Sequence, residues 1–494
     1  MSRYLLLFIA LLLLKAALAI GFILHGGLGL GPDEAQYWTW SKQLAWGYYS
    51  KPPGIAWQIW LGTKLLGDNE LGVRIGAVVL GTLIPLAVYW LAREAALRPF
   101  TCFAAGLVMA FCPLGLLSTF LAITDGGLVL FWTLACIVVV RALRVAEPPD
   151  YLLLGLCILG GALFKWPIYY FWGLVIVLMI VYPWFRSLKV IGGVLISLGG
   201  LLPSLIWNAQ HDWVTFRHVA ATVQGGHGDP GGNVGSFLAQ QAALLSPLIF
   251  LLLILAASRL IRGNGISKPI KFCGWSAVGL LALFALLSIF KKMQGNWCDF
   301  IYPPAIVFLC WYALESVAWG KWLLWPGVLL SVLLSAAAFS IPKMDIPWRY
   351  NPFRQNLGWG VLGKTLTEQG YNPQQDFLLS DKYQMTSLLS FYAPGQKRAY
   401  FLNLLGSRLN QFSFWPSVAE EQKNKTGYFV VAENRADLTK EIELYKSTLA
   451  HYFQKVEFLG VHPLYYAQGK AVKNALIFKG INYNGQLPET SSLY

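Results

Sequence analysis

Along the first two-thirds of the chain, apolar positions gather into runs near 20 residues, the length that crosses a bilayer as a helix. Runs at 4–24, 72–92, 100–118, 123–141, 151–164, 167–184, 189–207, 241–259, 273–290, 300–318 and 322–340 predict about eleven transmembrane helices. Lys165-Trp166-Pro167 divides the stretch 151–184, because proline interrupts helical hydrogen bonding and predicts a tight turn between two short helices. After about residue 342 the pattern shortens. Phe377-Leu378-Leu379 and Tyr428-Phe429-Val430-Val431 read as strands and 437–452 as a helix. The expected fold is an all-α polytopic membrane protein (1–341) with a small C-terminal α/β domain (342–494). No internal repeat is visible. The tract from Gly225 to Gly232 reads equally as a mobile lid and as an ordinary flexible loop. Ala17-Leu18-Ala19 resembles a signal-peptide cleavage site, but the spans that follow favour a retained first helix.

Composition supports the membrane reading. The chain is 56% hydrophobic and 13% charged, against about a quarter charged for soluble proteins. The net charge of +14 does not indicate nucleic acid, because the basic residues are scattered between apolar runs rather than gathered in a stripe. They set orientation instead. With Arg3 cytoplasmic, the same side receives Arg93, Arg98, Arg141, Arg144, Arg186, Lys189, Arg259, Arg262, Lys268, Lys271 and Lys321, the positive-inside pattern. The outer face then receives 25–71, the approach to Asp125, the Lys165 turn, 208–240, 291–299 and the tail. The seven cysteines lie in or beside apolar runs without a CxxC and read as buried thiols.

Polar residues suited to chemistry collect on that outer face. Asp33-Glu34 follows Pro32 just past the first span, where a low dielectric raises a carboxyl toward use as a general base; a helix cap at Asp33 is the competing reading. Lys51, held by Pro52-Pro53, suits a lipid phosphate, though an interfacial lysine that snorkels is the plainer account. Asp125 and Lys165 are ionisable groups at the edge of apolar runs, either functional or a pair joining two helices. His211, His218 and His227 match no zinc spacing, and Lys291 to Trp297 adds cation and amide donors. Carboxylates, cations and abundant aromatic rings together suit an amphiphilic sugar–phosphate substrate.

These residues, in this order, resemble the GT-C superfamily of glycosyltransferases, and more narrowly the bacterial branch similar to protein O-mannosyltransferases and lipid A aminoarabinose transferases. The resemblance rests on Asp33-Glu34, Lys51-Pro52-Pro53, Leu71-Gly72-Val73-Arg74, Asp125, Phe164-Lys165-Trp166-Pro167 and Trp207-Asn208 with Trp213, over roughly 30–300. It implies a polyprenyl-monophosphate sugar donor and transfer on the outer face of a bacterial inner membrane. By the same resemblance Asp33 is the general base, Glu34 positions it or a metal, and Asp125 supports it. Lys51, Lys165 and Arg74 hold the donor phosphate; Tyr37, Tyr49, Asn208 and Asn296 line the substrates. Ser50 stands where some aminoarabinose transferases carry a metal-binding Glu, so a divalent metal is left open, with Glu34, His218 and His227 as candidates. Lipid A or lipopolysaccharide is the first acceptor expected, a protein hydroxyl or another envelope glycan the second. A lipid-linked sugar transporter is the competing class, disfavoured by the missing repeat and the one-sided polar residues.

Overall fold

The computed structural model describes residues 3–25, 27–224, 231–263, 265–435 and 437–488. The chain opens on α1 (Arg3–His25) and forms two short helices, α2 (Pro32–Ser41) and α3 (Gly54–Leu66), before the long α4 (Glu70–Glu94). The region expected as a loop is thus largely helical. Next come α5 (Pro99–Phe111) and α6 (Pro113–Phe120), the long α7 (Asp125–Val145), then α8 (Tyr151–Ala162) and α9 (Tyr170–Val181). α10 (Lys189–Leu198), α11 (Leu202–Ala209), α12 (Val214–Gln224), α13 (Val234–Leu245) and α14 (Pro247–Arg262) lead to α15 (Lys268–Phe290), α16 (Tyr302–Trp311) and α17 (Lys321–Ser340).

All eleven predicted segments contain helix, but they do not all make straight spans. Among the described residues six helical segments are long and apolar enough to cross a membrane, and three bent pairs bring the number to nine. The pairs α5–α6, α10–α11 and α13–α14 bend by 58°, 44° and 110°. Each bend lies next to a proline near the start of the second helix (Pro113, Pro203, Pro247), whose missing N–H cannot continue the ladder. The run 241–259, expected as one span, is therefore divided at Ser246, a non-glycine residue at φ 78°. α8 has 12 residues, about 18 Å of rise against a core about 30 Å thick. These apolar helices make the chain an integral membrane protein. One buried cation is structural: Lys15 Nζ, within α1, donates to the carbonyls of Gly81 (3.1 Å) and Gly115 (3.0 Å), tying α1 to α4 and α6.

The tail folds as α18 (Leu362–Glu368), β1 (Phe377–Ser380), α19 (Tyr383–Tyr392), β2 (Tyr400–Phe401), α20 (Val418–Glu421), β3 (Gly427–Glu433), α21 (Thr439–Leu449), β4 (Phe453–Ala467) and β5 (Lys470–Tyr483). The sheet order is β2-β1-β3-β5-β4, with β1 parallel to β2 and β3, and β5 antiparallel to β3 and β4. Period-two alternation gives β3 two buried faces. Phe429 and Val431 pack with Tyr445 and Leu449 of α21. Tyr428 and Val430 join a cluster holding Trp38 and Trp40 of α2 and Leu388 of α19. Trp38 meets Phe391 edge-on at 5.0 Å. The tail thereby sits on α2, the helix that carries Asp33, through α19.

Candidate active site

The approach to α2 is fixed by close backbone packing. A Cβ at Gly29 would lie 2.7 Å from the Tyr392 hydroxyl, and that hydroxyl accepts the Leu30 N–H at 2.6 Å and donates to Glu70 at 3.1 Å. Pro32 then starts the helix, placing Asp33 and Glu34 in its first turn, where carboxylates are favoured by the helix dipole. Glu34 turns inward. Its Oε1 accepts Arg74 Nε (2.8 Å) and the Ala122 N–H (3.0 Å); its Oε2 accepts Arg74 Nη2 (2.7 Å) and the Gly31 N–H (2.9 Å). Arg74, with 0% exposure, also donates to the carbonyls of Leu28 and Gly29, each at 2.8 Å. Asp33 stays accessible, yet it sits in a recess dense with protein. Desolvation raises its carboxyl above the ordinary value, Lys51 and Arg408 oppose that rise, and Glu34 adds to it.

Lys51 closes a tight turn in which the Tyr48 N–H donates to the Lys51 carbonyl at 3.1 Å. Pro52 and Pro53 lead straight into α3, whose first N–H, on Gly54, donates to the carbonyl of Leu163 at 2.7 Å. Leu163 lies two residues before Lys165, so one hydrogen bond sets the two lysine-bearing turns side by side. Lys165 Nζ meets Asp125 Oδ1 at 2.6 Å, and Asn296 Nδ2 lies 3.5 Å from the same oxygen. Gly127 permits this: a Cβ there would fall 2.2 Å from the Phe164 ring. Asp299, buried, lies close enough to Lys165 and Asp125 to interact electrostatically with both. Burial pushes the Lys51 ammonium below its ordinary value; Lys165 lowers it further, Asp125 and Asp33 raise it, and Arg408 lowers it. Lys51 is thus the centre of a group of five charges, one of them from the tail.

A family model described as dolichyl-phosphate-mannose-protein mannosyltransferase matches residues 50–207, the stretch from the Lys51 turn to the end of α11. Lipid A galacturonosyltransferase RgtD of Rhizobium johnstonii is 30% identical over 315 residues, 62% of this chain and 64% of that protein. The undecaprenyl phosphate-alpha-4-amino-4-deoxy-L-arabinose arabinosyl transferase of Pseudomonas paraeruginosa is 35% identical over 91 residues, 16% of this chain and 17% of that protein. The chain therefore spans less than two thirds of the length of either relative. Over 96% of its length it superposes on 97% of ArnT from Cupriavidus metallidurans in the apo state, with a TM-score of 0.65 at 16% identity. The chain therefore has the fold of ArnT.

In this fold, Asp33, Lys51, Asp125, Lys165 and Asn296 gather at one end of the helical bundle. Glu34 and Arg74, expected as metal or base support and as a phosphate ligand, form a mutual buried pair: both Glu34 oxygens are filled, and Arg74 is sealed from solvent. Asp33 does not cap α2; Gly31 occupies that position. Asn208, expected at the substrate, instead ties its own loop, with Oδ1 accepting the Thr215 N–H at 2.9 Å and Nδ2 donating to the Ser204 carbonyl at 2.8 Å. Tyr49 is buried against His218 (ring centroids 4.9 Å apart) and Phe414, a buttress rather than a sugar platform. Tyr37 is buried with its ring 4.9 Å from Trp40, close enough to Asp33 and Asp125 to feel both charges.

The metal candidates do not come together. Glu34 is committed to Arg74, His218 packs on Tyr49, and His227 lies outside the described residues. Among the described residues no three His, Cys, Asp or Glu side chains converge as metal ligands, and lysines flank Asp33 and Asp125. Among the described residues the donor set does not fit a divalent metal. Sequence reasoning missed Asp299, Arg408 and Tyr383. The first lies two residues past a motif read for its cations and amides, and the other two lie in the tail, where strand periodicity carries no site signal. One cavity of about 530 Å³ opens at the far end of the bundle, beside Trp90, Arg141 and Asp150, away from these charges.

The Gly54 contact gives a test. A Cβ at Gly54 would stand 2.6 Å from the Leu163 carbonyl oxygen. Gly54→Ala should force the two lysine turns apart at an overpacking cost of about 1–3 kcal/mol, lowering the melting temperature with the protein still folded. An unchanged melting temperature would show that the turns are positioned by other contacts.

Proposed function

We propose that this protein transfers a sugar from a polyprenyl-monophosphate carrier to lipid A or lipopolysaccharide at the extracytoplasmic face of the inner membrane, with the N-terminus cytoplasmic. The observation that carries the reading is the gathering of Asp33 with Lys51 and the Asp125–Lys165 pair at one end of the bundle. Asp33, accessible and basic for a carboxylate, takes the proton of the acceptor hydroxyl as its oxygen bonds to the anomeric carbon. The bond from that carbon to the phosphate oxygen breaks, and the phosphate leaves with the electron pair. Lys51 and Lys165 stabilise the charge that grows on it, an effect strong where water is scarce. Asp125 and Asn296 hold Lys165 in place. No step passes through a metal.

Two related proteins support the choice of substrates. ArnT from C. metallidurans has a solved structure bound to undecaprenyl phosphate, and RgtD is a lipid A galacturonosyltransferase by name. Arginines and lysines at the opposite end of the bundle, Arg98, Arg141 and Arg144 among them, support the orientation by the positive-inside rule. The description of the matching family model, a protein mannosyltransferase, supports a protein hydroxyl as the second acceptor.

The test is transfer by purified protein in lipid, with undecaprenyl-phosphate sugars as donors, lipid A or a periplasmic protein extract as acceptor, and mass spectrometry as readout. A sugar-sized mass gain on lipid A supports the reading; a gain on protein alone moves the acceptor to the second one. Lys51→Ala should raise donor KM by about tenfold or more, the loss of one charge-assisted contact, with acceptor KM within about twofold. Equal changes in both would place Lys51 in the scaffold instead.

A further inference from the structure

Arg408 is the fifth charge at the site, and it comes from the tail. The segment that carries it is fastened on both sides. Asn403 closes the turn before it, its Nδ2 donating to the Ser407 carbonyl and its Oδ1 accepting the Ser407 N–H, both at 2.7 Å. Beyond it, Gln411 Oε1 accepts the Tyr49 N–H at 2.7 Å, which joins the segment to the Lys51 turn. The guanidinium carbon lies 5.7 Å from the centre of the Tyr49 ring and 5.4 Å from that of Tyr383, within cation–π range of both.

Held this way, the guanidinium has little of its own to bind. Among the described residues its nitrogens reach only the Leu409 carbonyl at 3.4 Å and the Tyr383 hydroxyl at 3.5 Å, both long. Arg74, Arg144, Arg398 and Arg435 each pair with a carboxylate, whereas Arg408 has none within ion-pair distance among the described residues. Its charge nevertheless reaches Asp33 and Lys51. A rigid, unfilled fork beside the proposed base suits a planar anion that accepts two parallel hydrogen bonds, which is a carboxylate. Lys51 and Lys165 already serve the one negative charge of a phosphodiester.

We infer that Arg408, braced by Tyr49 and Tyr383, selects a donor whose sugar bears a carboxylate, a uronic acid, so that the tail completes the sugar subsite. This rests on the preceding reading that a polyprenyl-phosphate sugar occupies the site.

The experiment measures binding of two donors with the same polyprenyl phosphate, one carrying a hexuronic acid and the other the corresponding neutral hexose, to parent, Arg408→Ala and Arg408→Lys proteins. Transfer is measured in parallel. The parent should prefer the uronate donor, and Arg408→Ala should reduce that preference by about 30-fold, the scale of one lost charge-assisted fork. Arg408→Lys keeps the charge but not the fork and should fall between. Equal losses for both donors would mean that Arg408 holds a phosphate, and an unchanged preference would mean that it holds nothing; either overturns the inference. Because binding is read directly, a lost preference without transfer would keep the inference and sink the transferase reading.

Discussion

Replacing Asp33 with Asn should lower sugar transfer by about 10³-fold, the middle of the range for a positioned general base, and leave the protein at least as stable as its parent. The stability half follows from a sign. Desolvation raises the Asp33 carboxyl in the folded protein, so folding favours the protonated form. Stabilisation from that proton is present at low pH and is lost as pH rises through the folded value. At neutral pH the ionised side chain works against the fold, and a neutral amide of the same shape removes that opposition. A residue kept at a cost to stability is kept for its chemistry. The same shift sets a pH profile. A base acts only when ionised, so the acid limb of turnover should lie above the ordinary carboxylate value near 4. Lys51 holds that value down, so Lys51→Met should move the limb to higher pH. Turnover across pH and melting temperature in detergent check this together. Parent-like turnover in folded Asp33→Asn would remove Asp33 from the mechanism, and parallel loss of activity and stability would make it a structural residue.

The membrane character, the positions of the helical segments and the C-terminal α/β unit were legible because each is a periodicity carried by many residues. Lys51, Lys165, Asp33 and Asp125 were legible as ionisable groups at an apolar edge, where such groups are rare. Two things were not. The bends at Pro113, Pro203 and Pro247 leave the apolar pattern intact while breaking the rod, so a hydropathy window passes over them. Arg408 and Tyr383 are ordinary residues of a water-facing sequence, and only the docking of the tail on α2 through α19 brings them near Asp33. Gly54 and Gly127 marked the close contacts that join the lysine turns to each other and to Asp125, but a glycine states that something is near without saying what. The dipeptide Asp33-Glu34 shows the limit best. Two adjacent carboxylates read alike in sequence; the helix turns one outward into the recess and the other inward onto Arg74.

That inward carboxylate supports the second large effect, on folding rather than turnover. Glu34→Gln, or Arg74→Gln, should destabilise the protein by about 3–5 kcal/mol, because removing one partner leaves the other charge buried and alone. Glu34 joins three parts of the site in one group of bonds: the Gly31 N–H at the start of α2, Arg74 in α4, and the Ala122 N–H just before Asp125. Losing it frees Asp33 and Asp125 from their common support, so activity and stability should fall together, unlike the separation expected for Asp33→Asn. Replacing both residues with apolar side chains, Glu34→Leu with Arg74→Met, should recover only part of the loss. The pair itself can be exchanged for packing, but two backbone N–H groups and the carbonyls of Leu28 and Gly29 would keep no partner. Melting temperature and the monodisperse yield of the three variants measure this. A Glu34→Gln protein that melts with the parent yet transfers no sugar would return Glu34 to the chemistry, as the base or its direct support, and leave Arg74 as the residue that orients it.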